Sequence, residues 1–150
     1  MRRVTAISAI LLLAWFTLDL TGFSFGDLIL VISAFSDEPV DAAFWLLYAA
    51  CVSAFVFKER VGRWLLPTFA AIWGFIQFGM YLQASPEHIA SYNAFFAHEG
   101  TAYLVTPSDT VLIKDAYHMV LDLLIAVTFV LSLVYLVQSL RQKASSPEGD

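Results

Sequence analysis

Cysteine is almost missing from this chain. Its single copy, Cys51, rules out an internal disulfide and any Cys-x-x-Cys redox pair. It sits in an apolar run and reads as a small buried hydrophobe. Charge is scarce too: 14% of the 150 residues are charged, where soluble domains carry about 25%. The eight Lys and Arg form no basic stripe, so no nucleic-acid partner is expected. Histidine occurs three times, and only His118 lies where a buried haem ligand would have to be, so haem is not expected. No internal repeat is present.

What fills the sequence instead is apolar. Hydrophobic residues make up 59% and aromatics 15%, and the mean hydropathy is +0.73. That composition belongs to an integral membrane protein in contact with the lipid bilayer. The apolar residues gather into four runs: Val4–Phe23, Asp41–Phe57, Trp64–Leu82 and Tyr117–Val137. Each comes close to the ~20 residues needed to cross ~30 Å of hydrocarbon. In lipid every backbone N–H and C=O must be satisfied within the segment, so each run is expected to be a helix. The fold class expected is all-α: an antiparallel four-helix membrane bundle over residues 1–143, followed by a disordered tail at 144–150.

Orientation follows from the basic residues. Arg2 and Arg3 precede the first run, Lys58, Arg60 and Arg63 separate the second from the third, and Arg141 and Lys143 follow the fourth. Lys114 alone falls on the opposite side. By the positive-inside rule both termini are cytoplasmic, and a bacterial or archaeal cytoplasmic membrane is the expected location. Asp27, Asp37, Glu38, Asp41, Glu87, Glu99, Asp109 and Asp115 fall outside. The first run also has the n-region and h-region of a signal peptide, but Thr17-Leu18-Asp19-Leu20 offers no small-x-small cleavage site, so a retained span is expected.

Most of the non-membrane mass lies on the outer face. The stretch DLILVISAF is too short to span and is expected to lie along the interface or extend the first helix. SDEPVD turns the chain into the second span, with Pro39 near the helix start. Ser85-Pro86 opens a short amphipathic helix between spans 3 and 4, carrying Ile89, Tyr92, Phe95 and Phe96 at helical spacing and ending by Gly100. The last helix is expected to start near Thr110, capped by Ser108 or Asp109, and to reach Leu140. Pro67 is expected in the first turn of the third helix. Trp15, Trp45, Trp64 and Trp73 read as belt or lipid-facing residues. Gly74, Gly79, Ala70 and Ala71 read as small surfaces for close packing.

Chemistry concentrates where the last run begins. In DAYHMVLD, Asp115, His118 and Asp122 share one helix face. Asp-x-x-His is also a metal-ligand spacing. His98 and Glu99 can fold over the same mouth, making His98, Glu99, Asp115 and His118 the candidate set for a divalent metal; His88 is expected to cap or face water. Asp122 lies roughly 28 Å along the helix from Arg141, and Asp19 roughly 22 Å beyond Val4. Gln77 falls at a similar depth in the third run. Asp19, Gln77, Tyr81, Tyr117 and Asp122 are therefore the expected lining of an outward polar pocket, with Thr17 and Thr21 beside them. The alternative role for these groups is interhelical hydrogen bonding.

No nucleophile–base pairing identifies an enzyme. Three functions fit. One is a binding or accessory protein using the outer pocket, alone, as a homo-oligomer or with a partner membrane protein. Another is an oligomeric transporter of ions or small molecules coupled through Asp19 and Asp122. The third is a metal-dependent membrane enzyme.

Overall fold

A computed structural model describes residues 1–33, 39–82, 85–97, 99–106, 108 and 110–145, with backbone alone for Pro39, Met80, Tyr81, Phe95, Phe96, Ala144 and Ser145. The described residues form five helices and one hairpin: α1 (Arg2–Thr21), β1 (Phe23–Phe25), β2 (Leu28–Val31), α2 (Pro39–Phe57), α3 (Glu59–Leu82), α4 (Pro86–Phe96) and α5 (Ala116–Ser145). Three helical stretches are long and apolar enough to cross a membrane: Arg2–Thr21, Val40–Phe57 and Ala116–Lys143. α3, which carries the third apolar run, is not among them.

The long helices pack side by side. α1 packs on α2 and α5, and α3 packs on the same two helices. Contacts at the ends give the directions. Arg2, opening α1, donates to Val56 O near the end of α2 at 3.0 Å and pairs with Glu59 at the start of α3. Glu59 also accepts from Tyr135, late in α5. At the opposite end Trp15 of α1 meets Tyr117 of α5.

The packed centre is aromatic. Trp73 is 3% exposed and touches Phe16, Phe44, Tyr48 and Phe69. It is thus a core residue, not the lipid-facing one expected, whereas Trp64 is exposed. Both sit on α3, and their separation along the chain, at about 100° per residue, puts them on opposite faces of that helix. Two buried hydroxyls reach main-chain carbonyls of neighbouring helices: Tyr48 Oη donates to Ala9 O at 3.1 Å, and Thr5 Oγ1 to Leu131 O at 3.3 Å. Ile7, Ile10, Leu11, Leu46, Ile72, Phe75, Leu123 and Val130 turn outward. So much exposed apolar surface on every long helix is foreign to a water-soluble monomer.

Several boundaries differ from the sequence expectations. Within DLILVISAF, Leu28–Val31 form the second strand of an antiparallel hairpin and do not continue α1, while Ala34 and Phe35 lie outside the described residues. Gly22 (φ 71) ends α1 and Gly26 (φ 61) makes the turn. β2 also bridges Thr101: Ile29 N donates to Gly100 O at 2.7 Å and Ala102 N to Ile29 O at 2.9 Å. The chain is therefore not purely α-helical. α3 begins at Glu59 rather than Trp64, which puts Pro67 inside the helix, where its missing N–H removes one ladder bond. α5 starts at Ala116, not near Thr110. Ser108 Oγ accepts from Thr110 N at 3.2 Å in a local turn, and Asp115 takes the capping role, its Oδ1 accepting from His118 N at 2.8 Å. α5 runs past Leu140 to Ser145, roughly 45 Å of helix. α4 has the Ser85 cap and the Pro86 start read from the sequence, with Ser85 Oγ accepting from His88 N at 3.2 Å. Asp37, Glu38, Asp109 and the tail 146–150 lie outside the described residues.

Candidate functional site

Two polar clusters occupy the end of the helices that carries the hairpin. The first is built around Lys114, two residues before α5. Its side chain is fully buried, and its Nζ donates to both Asp122 oxygens, at 2.8 and 3.1 Å, and to Gln77 Oε1 at 2.8 Å. Three donors meet three acceptors, so the ammonium is saturated. Burial pulls this ammonium below its ordinary pKa, and the hydrogen bond and charge of Asp122 oppose that pull.

The local chain explains how a loop lysine reaches so far inward. Asn93 on α4 clamps the preceding segment: its Nδ2 donates to Ser108 O at 2.7 Å and Val111 O at 3.0 Å, and its Oδ1 accepts from Ile113 N at 3.0 Å. Ala116 N then donates to Ala102 O at 2.8 Å, tying the start of α5 to the strand-like segment beside β2. Leu112, 5% exposed, anchors the strap with apolar burial. Hairpin, α4 and strap thus make one cap over this end of the helices.

The second cluster surrounds Asp19 on α1. Its charged neighbours are Asp41 on α2 and Asp115 and His118 at the start of α5. Asp115 is 5% exposed, and its Oδ1 also holds His118 Nδ1 at 2.8 Å, which fixes the proton on that nitrogen. The two therefore form a part-buried cap pair at the start of α5. Tyr117, 0% exposed, sits among the same carboxylates. Its Oη donates to Trp15 O at 3.3 Å, its carbonyl accepts from Trp15 Nε1 at 3.1 Å, and the rings stack 5.5 Å apart. These reciprocal bonds fasten α1 to α5.

The residues expected to share one pocket are thus divided. Gln77 and Asp122 converge on Lys114, while Asp19 and Tyr117 belong with Asp41, Asp115 and His118. Thr17 and Thr21 donate to Leu13 O and Thr17 O in their own helix, and Thr17 Oγ1 also accepts from Trp45 Nε1 at 3.0 Å. Thr17 thus joins α1 to α2, while the Thr21 bond stays within α1. The Tyr81 side chain and all of His98 lie outside the described residues. Glu99 is exposed in a turn. His88 packs its ring near Tyr92. Among the described residues no group of three or more His, Cys, Asp or Glu is arranged to hold a metal ion.

Sequence reasoning missed Lys114 and Asp41, both counted as outer-face charges. An apolar groove of about 300 Å³ between α3 and α5, bordered by Ala70, Gly74 and Ile125, carries no polar chemistry. No protein-family model, no curated protein and no solved structure matches this chain.

Proposed function

We propose that this chain is a small multi-pass membrane protein of binding or accessory type. In this reading α1, α2, α3 and α5 are four antiparallel spans, both termini are cytoplasmic, and the capped end faces outward. α3 joins the three more apolar helices because it packs between α2 and α5 and turns Leu65, Ile72, Phe75 and Ile76 outward. The basic residues Arg2, Arg60 and Arg63 cluster at the end away from the cap, as the positive-inside rule requires of a cytoplasmic face.

The observation that carries the binding reading is the neutralised Asp122. A transport cycle coupled through Asp19 and Asp122 needs both carboxylates free to exchange charge. Here Asp122 is held by a buried ammonium and closed under an ordered cap. Asp19 lies outside that ion pair, among Asp41, Asp115 and His118, which suits a site that receives a ligand. Proteoliposomes carrying the protein are expected to take up sodium ions and protons no faster than empty vesicles. Uptake above that background, abolished in Asp122→Asn, would replace the binding reading with transport.

A further inference from the structure

We propose that the crevice between α3 and α5 is a seat for one anionic phospholipid, its phosphate at Arg63 and an acyl chain in the apolar groove beyond. This goes past the binding reading of the capped end. It uses from that reading only that α3 crosses the membrane with Arg63 at the cytoplasmic end.

The guanidinium comes first. Arg63 stands on α3 one turn after Glu59, and its Nη1 reaches across to Ser139 Oγ on α5 at 3.5 Å, a long bond. Its Nε is shut off from water and, among the described residues, has no acceptor. The carboxylate one turn away, Glu59, is engaged by Arg2 at 3.0 Å and by Tyr135. A guanidinium drawn into a crevice without a counter-charge is costly, and a phosphate matches its planar fork.

The surroundings carry the same sign. Seven of the eight Lys and Arg, all but Lys114, lie at this end, and Glu59 is the one acid among the described residues there. Arg60, exposed three residues before Arg63, lies on the same side of α3. Basic pockets between helices on a cytoplasmic face suit anionic headgroups.

The second observation is the groove of about 300 Å³ between the same two helices. Small residues, Ala70 and Gly74 on α3 and Ala126 on α5, make it deep, and Phe75, Phe129 and Val130 border it. Arg63, Ala70 and Gly74 fall at i, i+7 and i+11, on one face of α3. From Ala70 to Phe78 the groove covers roughly 10 to 22 Å of helix beyond Arg63. A headgroup lies roughly 20 Å from the bilayer mid-plane, so a lipid whose phosphate meets Arg63 lays its chain over that stretch. A free polar ligand has no partner in the groove, and a bare hydrocarbon leaves Arg63 uncompensated. A phospholipid answers both.

The test is native mass spectrometry of the delipidated, detergent-purified full chain, titrated with phosphatidylglycerol or phosphatidylcholine carrying the same acyl chains. One phosphatidylglycerol per chain is expected to stay bound, with phosphatidylcholine weaker by about tenfold or more, the worth of one charge-assisted hydrogen bond. Arg63→Gln should bring the two lipids together. Arg3→Gln, which removes the same charge from α1 rather than from either wall of the crevice, should keep them apart. Ala71→Leu fills the groove from an exposed position and should weaken both lipids, so it decides the matter even if Arg63→Gln does not fold. Equal binding of the two lipids by the parent, equal effects of the two arginine variants, undiminished binding in Ala71→Leu, or a lipid-free dimer that Ala71→Leu separates would each overturn the proposal. In detergent, without gradient or sidedness, this titration can fail while the uptake result for the binding reading stands.

Discussion

Replacing Asp122 with alanine is expected to cost the fold about 3–5 kcal/mol, the loss typical when one member of a buried ion pair is removed. The Lys114 side chain is 0% exposed and has spent its donors on Asp122 and Gln77. Without Asp122 its ammonium stays buried without the carboxylate that balances it, or the strap must pull out of the helices. Pulling out would also undo the Asn93 clamp and the Ala116–Ala102 bond. Removing both charges, as Asp122→Leu with Lys114→Leu, is expected to recover most of the loss, because apolar pairs of similar volume often replace buried ion pairs without penalty. Chemical unfolding of the single and double variants in one detergent measures both. A single variant as stable as the parent, or a double variant no better than the single, would show that the pair does not hold the cap.

Gly62→Ala is the next largest change expected, at about 1–3 kcal/mol or more, as for overpacking a tight contact. A Cβ at Gly62 would fall on backbone atoms of Phe55 and Ala54, which cannot rotate aside. α2 and α3 would have to separate where Lys58 joins them, and the Arg2 contacts to Val56 and Glu59 would open with them. Gly79→Ala is the matched control in the same helix: a Cβ there meets nothing within 4 Å. Alanine's higher helix propensity should make that change neutral or slightly stabilising. Equal unfolding midpoints for the two variants would remove the close approach at Gly62 from the account of packing.

Long apolar runs made the main helices legible, because helix is the only open-chain answer to hydrocarbon. Ser85-Pro86 placed α4 for an equally local reason. The hairpin was legible in principle, since Gly26-Asp27 is a turn signal between Phe-Ser-Phe and Leu-Ile-Leu-Val, but the length of the apolar stretch outweighed it. The start of α5 was not decidable locally. Ser108, Asp109 and Asp115 are chemically equivalent caps, and the selection is made by tertiary bonds from Asn93 and Ala102. Gln77 and Asp122 stood out because polar groups in apolar runs are rare. Lys114 did not, because a lone loop lysine looks the same in sequence whether it faces water or turns inward. The tight glycine was likewise missed at Gly62 and sought at Gly79, since contact across a helical hairpin leaves no mark on either helix alone.

The central claim is that α3 crosses the membrane, bringing α4 and the strap to the same face as the hairpin. Single cysteines at Ser24, Val61 and Ser91 in a Cys51→Ser background test it with a membrane-impermeant maleimide on intact cells. All three positions are exposed, in the hairpin, early α3 and α4 respectively. Ser24→Cys and Ser91→Cys are expected to label in intact cells, and Val61→Cys only after permeabilisation. Labelling of Ser91→Cys together with Val61→Cys, and apart from Ser24→Cys, would mean that α3 does not cross, and would contradict the four-span bundle and its outward pocket together.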